Sequence, residues 1–564
     1  MKRIKILIII SIFSLLFVEY FHTIYAITQD LGRHLISGQI ILQNHSVYKA
    51  NLFSYTYPNF PFINHHWLSE VIFYLLFKAS GFNGLLLLTV LLAASSFALI
   101  FFKSLKNNFF ALGLVSGLSL GILFERTDVR PEIFSFLFLS IFLAILYKFR
   151  EKFTRLIFLL PFIELLWVNM HIYFPIGIIL LVFFIIDSIF KNRSFNSRYT
   201  GIYLIVLVGC VLATLLNPNG ISGAFYPLSV FQNYGYPIEE NQNIFFLWSL
   251  FHNQNIVFFV ASLSLLFISL ILNISKSKPI DWFISIFFSI LAILSIRNFP
   301  LFVFATFIPF VTNFSKSFEE LFKFKKIMVV LIFLLIAWQL IRVTSEKTFG
   351  FGIDQGGQNA ADFFIKNNLK GPIFNNFDIG SYLDYRLYPK EKVFVDGRPE
   401  AYPARFFQNI YIPMQQDINL FKKEDEKYKF NTIFFSHRDQ TPWAQSFLKR
   451  IINDEQWKLV YLDDFIVIFV KDNELNKDIN QKLSMDKNNI HLSQFNPSSI
   501  DYLLGILGFF TKTDLLSEQI NVYRQIINIK PNFCPALQNL YILYSKQKNP
   551  AASIYLLKFH QSCR

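Results

Sequence analysis

The sequence predicts a polytopic α-helical membrane protein of about eleven spans, followed by a small α/β unit and a short helical tail. Three observations predict it. The 564 residues are 53% hydrophobic and only 16% charged, with a mean hydropathy of +0.41, whereas charged residues make up about a quarter of a soluble protein. The apolar residues collect in runs that approach the roughly 20 residues a bilayer-crossing helix needs. Those runs stop near Arg342, after which short strand-like and helix-like stretches alternate.

Candidate spans fall at 6–27, 84–102, 109–125, 132–147, 156–171, 172–190, 201–217, 256–274, 280–296, 300–314 and 327–341. The first stands behind Met1-Lys-Arg-Ile-Lys5, is longer than a signal-peptide core and lacks a clear small-x-small site, so it reads as a retained helix. With the N-terminus cytoplasmic, Lys and Arg of the inner segments outnumber those of the short outer loops about three to one. That bias predicts an inner cell membrane protein whose C-terminal parts lie outside the cytoplasm. It also explains the net charge of +14 as a topology signal and argues against a nucleic-acid partner. The 70 Phe residues exceed what interfacial belts need and read as membrane composition. Cys210 lies in an apolar run; Cys534 and Cys563 leave a disulfide open, and no metal-ligand spacing occurs.

This orientation gathers polar groups on the outer face. The first outer loop, 28–81, carries Asp30, Arg33 and His34, then His66 and Glu70, spaced four apart on an amphipathic helix. The second group is Glu125-Arg-Thr-Asp-Val-Arg-Pro-Glu132. A spacing of four places Arg126 and Arg130 on one helical face beside Glu132, a fork suited to phosphate or diphosphate. The third group comprises Trp167-Val-Asn-Met-His171, the long loop 217–241 with Glu240, and Arg297. The competing reading of Arg33, Lys49 and Lys78 is interfacial anchoring; that of His171 is an interfacial cap.

These segments carry a resemblance. Asp-Leu-Gly-Arg-His-Leu-Ile-Ser-Gly (30–38), Phe-Ser-Tyr-Thr (53–56), His-Trp-Leu-Ser-Glu (66–70), Arg-Pro-Glu-Ile-Phe-Ser (130–135), Trp-Val-Asn-Met-His (167–171) and Leu-Asn-Pro-Asn-Gly (216–220) resemble a bacterial branch of the GT-C superfamily of integral-membrane glycosyltransferases, over residues 1 to 470. That superfamily includes protein O-mannosyltransferases, the oligosaccharyltransferase catalytic subunit and lipid A aminoarabinose transferases. The resemblance implies transfer from a polyprenyl-phosphate or diphosphate sugar to an extracytoplasmic glycan, lipid or protein. It gives Asp30 the role of general base, or of an acid assisting a divalent cation such as Mg or Mn. Arg126, Arg130 and Arg297 then stabilise the departing phosphate. Many relatives carry two adjacent acids, whereas Asp30 is flanked by Gln29 and Leu31. A two-carboxylate metal mechanism here would need Glu70 or Glu132.

The chain divides into a transmembrane part (1–345), an α/β domain (346–471), a polar linker (472–494) and a helical tail (495–564). Strands are expected at Ile373–Phe377, Val393–Arg398, Thr432–Phe435 and Phe465–Val470. Asp378 and Asp396 end two of them, where α/β sheets bind ligands, although turn chemistry explains an Asp-Gly pair equally. Short amphipathic helices are expected at 502–508, 518–529 and 536–544, and Tyr523–Ala536 resembles the junction of two tetratricopeptide units; such a tail docks on the body or binds a protein partner. Two other classes remain: a non-catalytic scaffold of the same fold, and a transporter. The second would use buried acids such as Glu19 and Glu164 and an internal repeat of spans, which the sequence lacks.

Overall fold

In the computed structural model the described residues are 2–25, 30–195, 197–231, 233–353, 358–487, 490 and 499–563. The end of the expected first span (26–27), Thr28 and Gln29 before Asp30, and residues 488–489 and 491–494 of the expected linker lie outside them.

A helix occupies every place where a span is expected. With one further helix, α2 (Leu31–Asn44), they run α1 (Lys2–Tyr20), α3 (Trp67–Ser104), α4 (Phe109–Leu123), α5 (Glu132–Glu151), α6 (Leu160–Met170), α7 (Pro175–Asn192) and α8 (Arg198–Thr214), then Gln254–Leu272, Pro279–Leu294, Phe299–Ser317 and Lys325–Glu346. Among the described residues seven helical stretches are long and apolar enough to cross a membrane; α8 and Pro279–Leu294 are apolar but shorter. The chain is a multi-pass membrane protein. Local signals set the starts: Asn108 accepts from the amides of Phe110 and Ala111 ahead of α4, and Pro175 opens α7.

The first inter-helix segment is more ordered than its sequence indicates. It contains α2, an extra amphipathic helix wedged between α3 and the helix Phe377–Leu387 of the α/β unit. Gly32 makes that packing possible, because a Cβ there would lie 2.7 Å from the carbonyl oxygen of Ser381; a Cβ on Gly38 would strike the Glu70 carbonyl. Helix α3 begins at Trp67, so it includes residues expected in the loop, and its path is interrupted at Gly81, whose φ of +63° is left-handed.

The α/β unit holds a four-stranded sheet, β1 (Ile373–Asn375), β2 (Thr432–Ser436), β3 (Trp457–Leu462) and β4 (Ile466–Lys471), in the order β1-β2-β4-β3. β1 pairs in parallel with β2, and β4 runs antiparallel to both β2 and β3. Val393–Arg398 is not a strand of this sheet. Its Val393 forms a single bridge to Ser54 of the first inter-helix segment, while its apolar side chains pack in the cores of the α/β unit, Phe394 and Val395 beside Phe374 and Phe406. The expected linker also folds back: Lys477–Leu483 is helical, and Asn476 donates to the Asn431 side chain (2.9 Å) and the Lys471 carbonyl (2.9 Å).

Four helices close the chain, Ile500–Lys512, Leu516–Ile529, Cys534–Lys546 and Ala551–Ser562, and a disulfide joins Cys534 to Cys563. The last helix goes beyond the three expected. Leu503, Ile506, Phe509 and Phe510 share one hydrophobic core with Phe374, Phe435 and Phe447 of the α/β unit, so the tail is docked.

Candidate active site

Where the helix bundle meets the α/β unit lies a cavity of about 600 Å³. Six of the eleven site residues expected in the transmembrane part line it: Asp30, Arg33, His66, Arg130, Glu240 and Arg297. The other five, His34, Glu70, Arg126, Glu132 and His171, are buried; the first four are bonded to one another or to lining groups, and the His171 ring packs beside that of His66.

The arginine floor does not form as expected. Residues 124–126 are a 3-10 turn and 127–130 are not helical, because the chain must turn into Pro131 ahead of α5. The spacing of four therefore does not place Arg126 and Arg130 on a helical face. They converge instead on Glu240, whose Oε1 lies 2.6 Å from Arg126 Nη1 and 2.8 Å from Arg130 Nη1. Arg126 also forks onto Glu132, both bonds 2.8 Å, and Arg297 approaches that carboxylate at 3.9 Å. Arg126 is committed to two carboxylates, whereas Arg130 and Arg297 open onto the cavity. Burial would raise the Glu240 pKa, but Arg126, Arg130 and Arg297 outweigh it and hold the carboxyl well below the usual range.

Asp30 stands at the N-terminal end of α2. Its Oδ1 accepts from Ser381 Oγ (3.1 Å), and Arg33 Nη2 lies 3.9 Å from Oδ2. Behind it, Glu70 collects Arg33 (3.2 Å), His34 (2.9 Å) and Asn64 (2.6 Å). Glu70 is fully buried and does not line the cavity, so its oxygens orient α2 and α3 instead of facing a ligand. His66 sits between His34, His65 and His171, with ring centroids 5.3, 4.0 and 5.2 Å away. Burial keeps His65 at about 3 and His66 well below the usual imidazole range, so both are neutral at neutral pH. His171 Nδ1 meets Ser135 Oγ (2.9 Å), which also accepts from the Trp167 indole (2.8 Å).

Gly397 touches Asp30 from the opposite side: a Cβ there would lie 2.6 Å from Asp30 Oδ1 and 2.9 Å from Ser381 Oγ. Gly397→Ala is accordingly expected to displace the Asp30 carboxylate, lowering activity at least tenfold with little change in thermal unfolding. Unchanged turnover would separate Asp30 from the chemistry.

The roof comes from parts the sequence marked weakly or not at all. Asp378 follows β1, and Asp439 and Thr441 follow β2, at the carboxyl ends of two parallel strands, a position where α/β sheets present ligand-binding groups. Glu239, Glu400 and His65 also line the cavity. Asp378 opens onto the cavity; crowding by its walls, then the carboxylates of Asp439, Glu239 and Asp30, push it up to about 7. A raised carboxyl pKa means the folded state retains a proton that the unfolded chain has lost. Its contribution is thus fully present at low pH and lost as pH rises through about 7. Asp378→Asn is expected to raise the Tm at about pH 8 and leave it unchanged at about pH 4; thermal scans across that range check it.

Among the described residues no three His, Cys, Asp or Glu side chains come together as metal ligands. Arg33 contacts both Asp30 and Glu70, and Glu132 is paired with Arg126, so neither acid completes a carboxylate pair with Asp30.

No protein-family model and no curated protein sequence matches the chain. Solved structures do. The oligosaccharyltransferase AglB from Archaeoglobus fulgidus, in complex with an inhibitory peptide and a dolichol-phosphate, is similar at a TM-score of 0.55 and 10% identity, over 93% of this chain and 86% of that one. A second structure of the Archaeoglobus fulgidus oligosaccharyltransferase, tethered to an acceptor peptide containing the NVT sequon, gives 0.51 and 11%, over 83% and 74%. The chain shares the overall fold of these oligosaccharyltransferase structures. At such identity the likeness is one of architecture.

Proposed function

We propose that the chain is a membrane glycosyltransferase that moves a sugar from a polyprenyl-phosphate or polyprenyl-diphosphate donor to a glycan, lipid or protein outside the cytoplasm. One observation carries the reading: a single cavity holds a carboxylate, Asp30, positioned by Ser381 and α2, together with the cavity-facing arginines Arg33, Arg130 and Arg297. The likeness to an enzyme solved with a dolichol-phosphate supports a lipid-linked donor.

In this reading the lipid enters from the bundle side and sets its phosphate against Arg130 and Arg297. An acceptor hydroxyl or amide gives its proton to Asp30 and attacks the anomeric carbon. The new glycosidic bond forms as the sugar–phosphate bond breaks, and the phosphate departs with the electron pair. The arginines stabilise the charge that develops on it. Arg126, Glu132 and Glu240 hold the arginine floor in place, and Glu70 with His34 orients α2. The neutral His65 and His66 line the wall without adding charge. The charge bias of the loops and the tail disulfide, a bond of oxidising compartments, support an orientation with the cavity outside the cytoplasm. The tail helices are tetratricopeptide-like in this reading.

The test is turnover of a panel of polyprenyl-phosphate and polyprenyl-diphosphate sugars by the full chain in proteoliposomes, following release of the lipid phosphate. Turnover of one donor supports the reading and names the sugar. Folded protein that turns over none of them would leave the same fold serving as a scaffold.

A further inference from the structure

The loop Ser436–Thr441 supplies much of the cavity roof, including Asp439 and Thr441, yet it is held from behind by the tail. Lys512, at the end of the helix Ile500–Lys512, donates from Nζ to the carbonyl oxygens of His437 (2.6 Å) and Asp439 (2.8 Å). The His437 ring packs 5.5 Å from that of Phe509 on the same helix, and its Nε2 lies 2.9 Å from the Asp463 carbonyl oxygen. Gly505, further back along the helix, passes so close that a Cβ would lie 2.7 Å from the Asp464 carbonyl oxygen. On the cavity side, Asp439 accepts from Asn376 Nδ2 (3.2 Å) and from the Thr441 amide (2.9 Å). A half-buried ammonium bound to two carbonyls of one tight loop fixes its path more firmly than neutral hydrogen bonds would.

We infer that Lys512 is a positioning residue through which the C-terminal tail sets the acceptor-facing loop of the cavity. A lipid donor must approach from the helix bundle, where Arg130 and Arg297 stand, so the roof is the side left for the acceptor. The tail therefore governs transfer to the acceptor and not handling of the donor. The acceptor half of this inference rests on the glycosyl-transfer reading; the coupling of tail to loop does not.

The experiment compares wild type, Lys512→Met and Lys512→Arg as full chains in nanodiscs. Amide hydrogen exchange at Asp439 and Thr441 is expected to speed up about tenfold or more in Lys512→Met and to recover in Lys512→Arg, while exchange in β4 stays unchanged. Unchanged exchange at the loop overturns the coupling; faster exchange in β4 as well overturns its local character. With the donor that turns over, label transfer to the total glycan, lipid and protein of host membranes is expected to fall about fivefold in Lys512→Met, with donor hydrolysis by water within about twofold of wild type. An equal fall in both overturns the selective role. A wild type that consumes no donor refutes the glycosyl-transfer reading, and exchange still decides the coupling.

Discussion

Asp30→Asn is expected to lower sugar transfer by about 10²- to 10⁴-fold, the range in which a positioned general base contributes. Asn matches Asp in size and its amide oxygen still accepts the hydrogen bond of Ser381, so α2 and the cavity should keep their shape. What is lost is the site that takes the acceptor proton, and with it the 3.9 Å ion pair to Arg33. The effect should fall on kcat, because Arg130 and Arg297, which in the proposed reading take the donor phosphate, do not touch Asp30. Steady-state kinetics at matched expression, with thermal unfolding as a control for folding, check this. A variant retaining a tenth of wild-type turnover would remove Asp30 from the role of base. EDTA is expected to leave transfer intact if Asp30 acts as the base alone; among the described residues no three metal-ligating side chains come together. Loss of transfer in EDTA would move Asp30 to the metal-assisting role.

The membrane helices were legible because a helix is the simplest way for an apolar run of membrane length to satisfy its own backbone, and each expected run became one. The amphipathic α2 was not. Gly32 and Gly38 lie on its buried faces, where close packing against Ser381 and Glu70 replaces the side-chain bulk that marks a helix by its periodicity. Val393–Asp396 looked like a strand because its apolar residues are buried, but they are buried in the cores of the α/β unit, Phe394 and Val395 beside Phe374 and Phe406, while the backbone forms one bridge, to Ser54. β3, Trp457–Leu462, went unread although Asp454-Glu-Gln456 and Asp463-Asp464 bracket it with turn residues. At the site, composition and orientation placed Asp30, Arg130 and Arg297 near one another, which three loop ends at one face of a bundle make natural. The partnership of Arg126 with Glu132 and Glu240 was beyond reach: it depends on the turn before Pro131 and on a loop more than a hundred residues away. Asp439 was equally hidden, since only the parallel pairing of β1 with β2 brings it beside Asp378.

Arg398→Met is expected to destabilise the protein by about 3–5 kcal/mol, the cost of leaving a buried charge without its partner. Both members of the pair are fully buried. Arg398 donates from Nε to Asp396 Oδ1 (2.9 Å) and from Nη2 to Oδ2 (2.6 Å), and Nη2 also reaches Asn51 (2.8 Å). Its guanidinium lies 4.9 Å from the Phe53 ring centroid and 4.7 Å from that of Phe62, so one side chain ties the first inter-helix segment to the α/β unit. Removing it leaves Asp396 with the Tyr402 hydroxyl (3.2 Å) and the backbone amide of residue 398 (3.0 Å) but no countercharge from that side chain. Replacing both charges, as Arg398→Met with Asp396→Leu, should recover much of the loss, because two well-packed apolar groups carry no desolvation penalty. Thermal unfolding of the two single variants and the double variant gives the coupling directly. If the single variant lost under about 1 kcal/mol, the pair would be a surface-like bridge and the burial argument would fail. The same variants bear on chemistry. Gly397, which touches Asp30, sits between the two charges, so turnover should fall with Arg398→Met even where the protein remains folded. Activity that returns in the double variant along with stability would mean that the loop needs to be packed, not charged, to hold Asp30 in place.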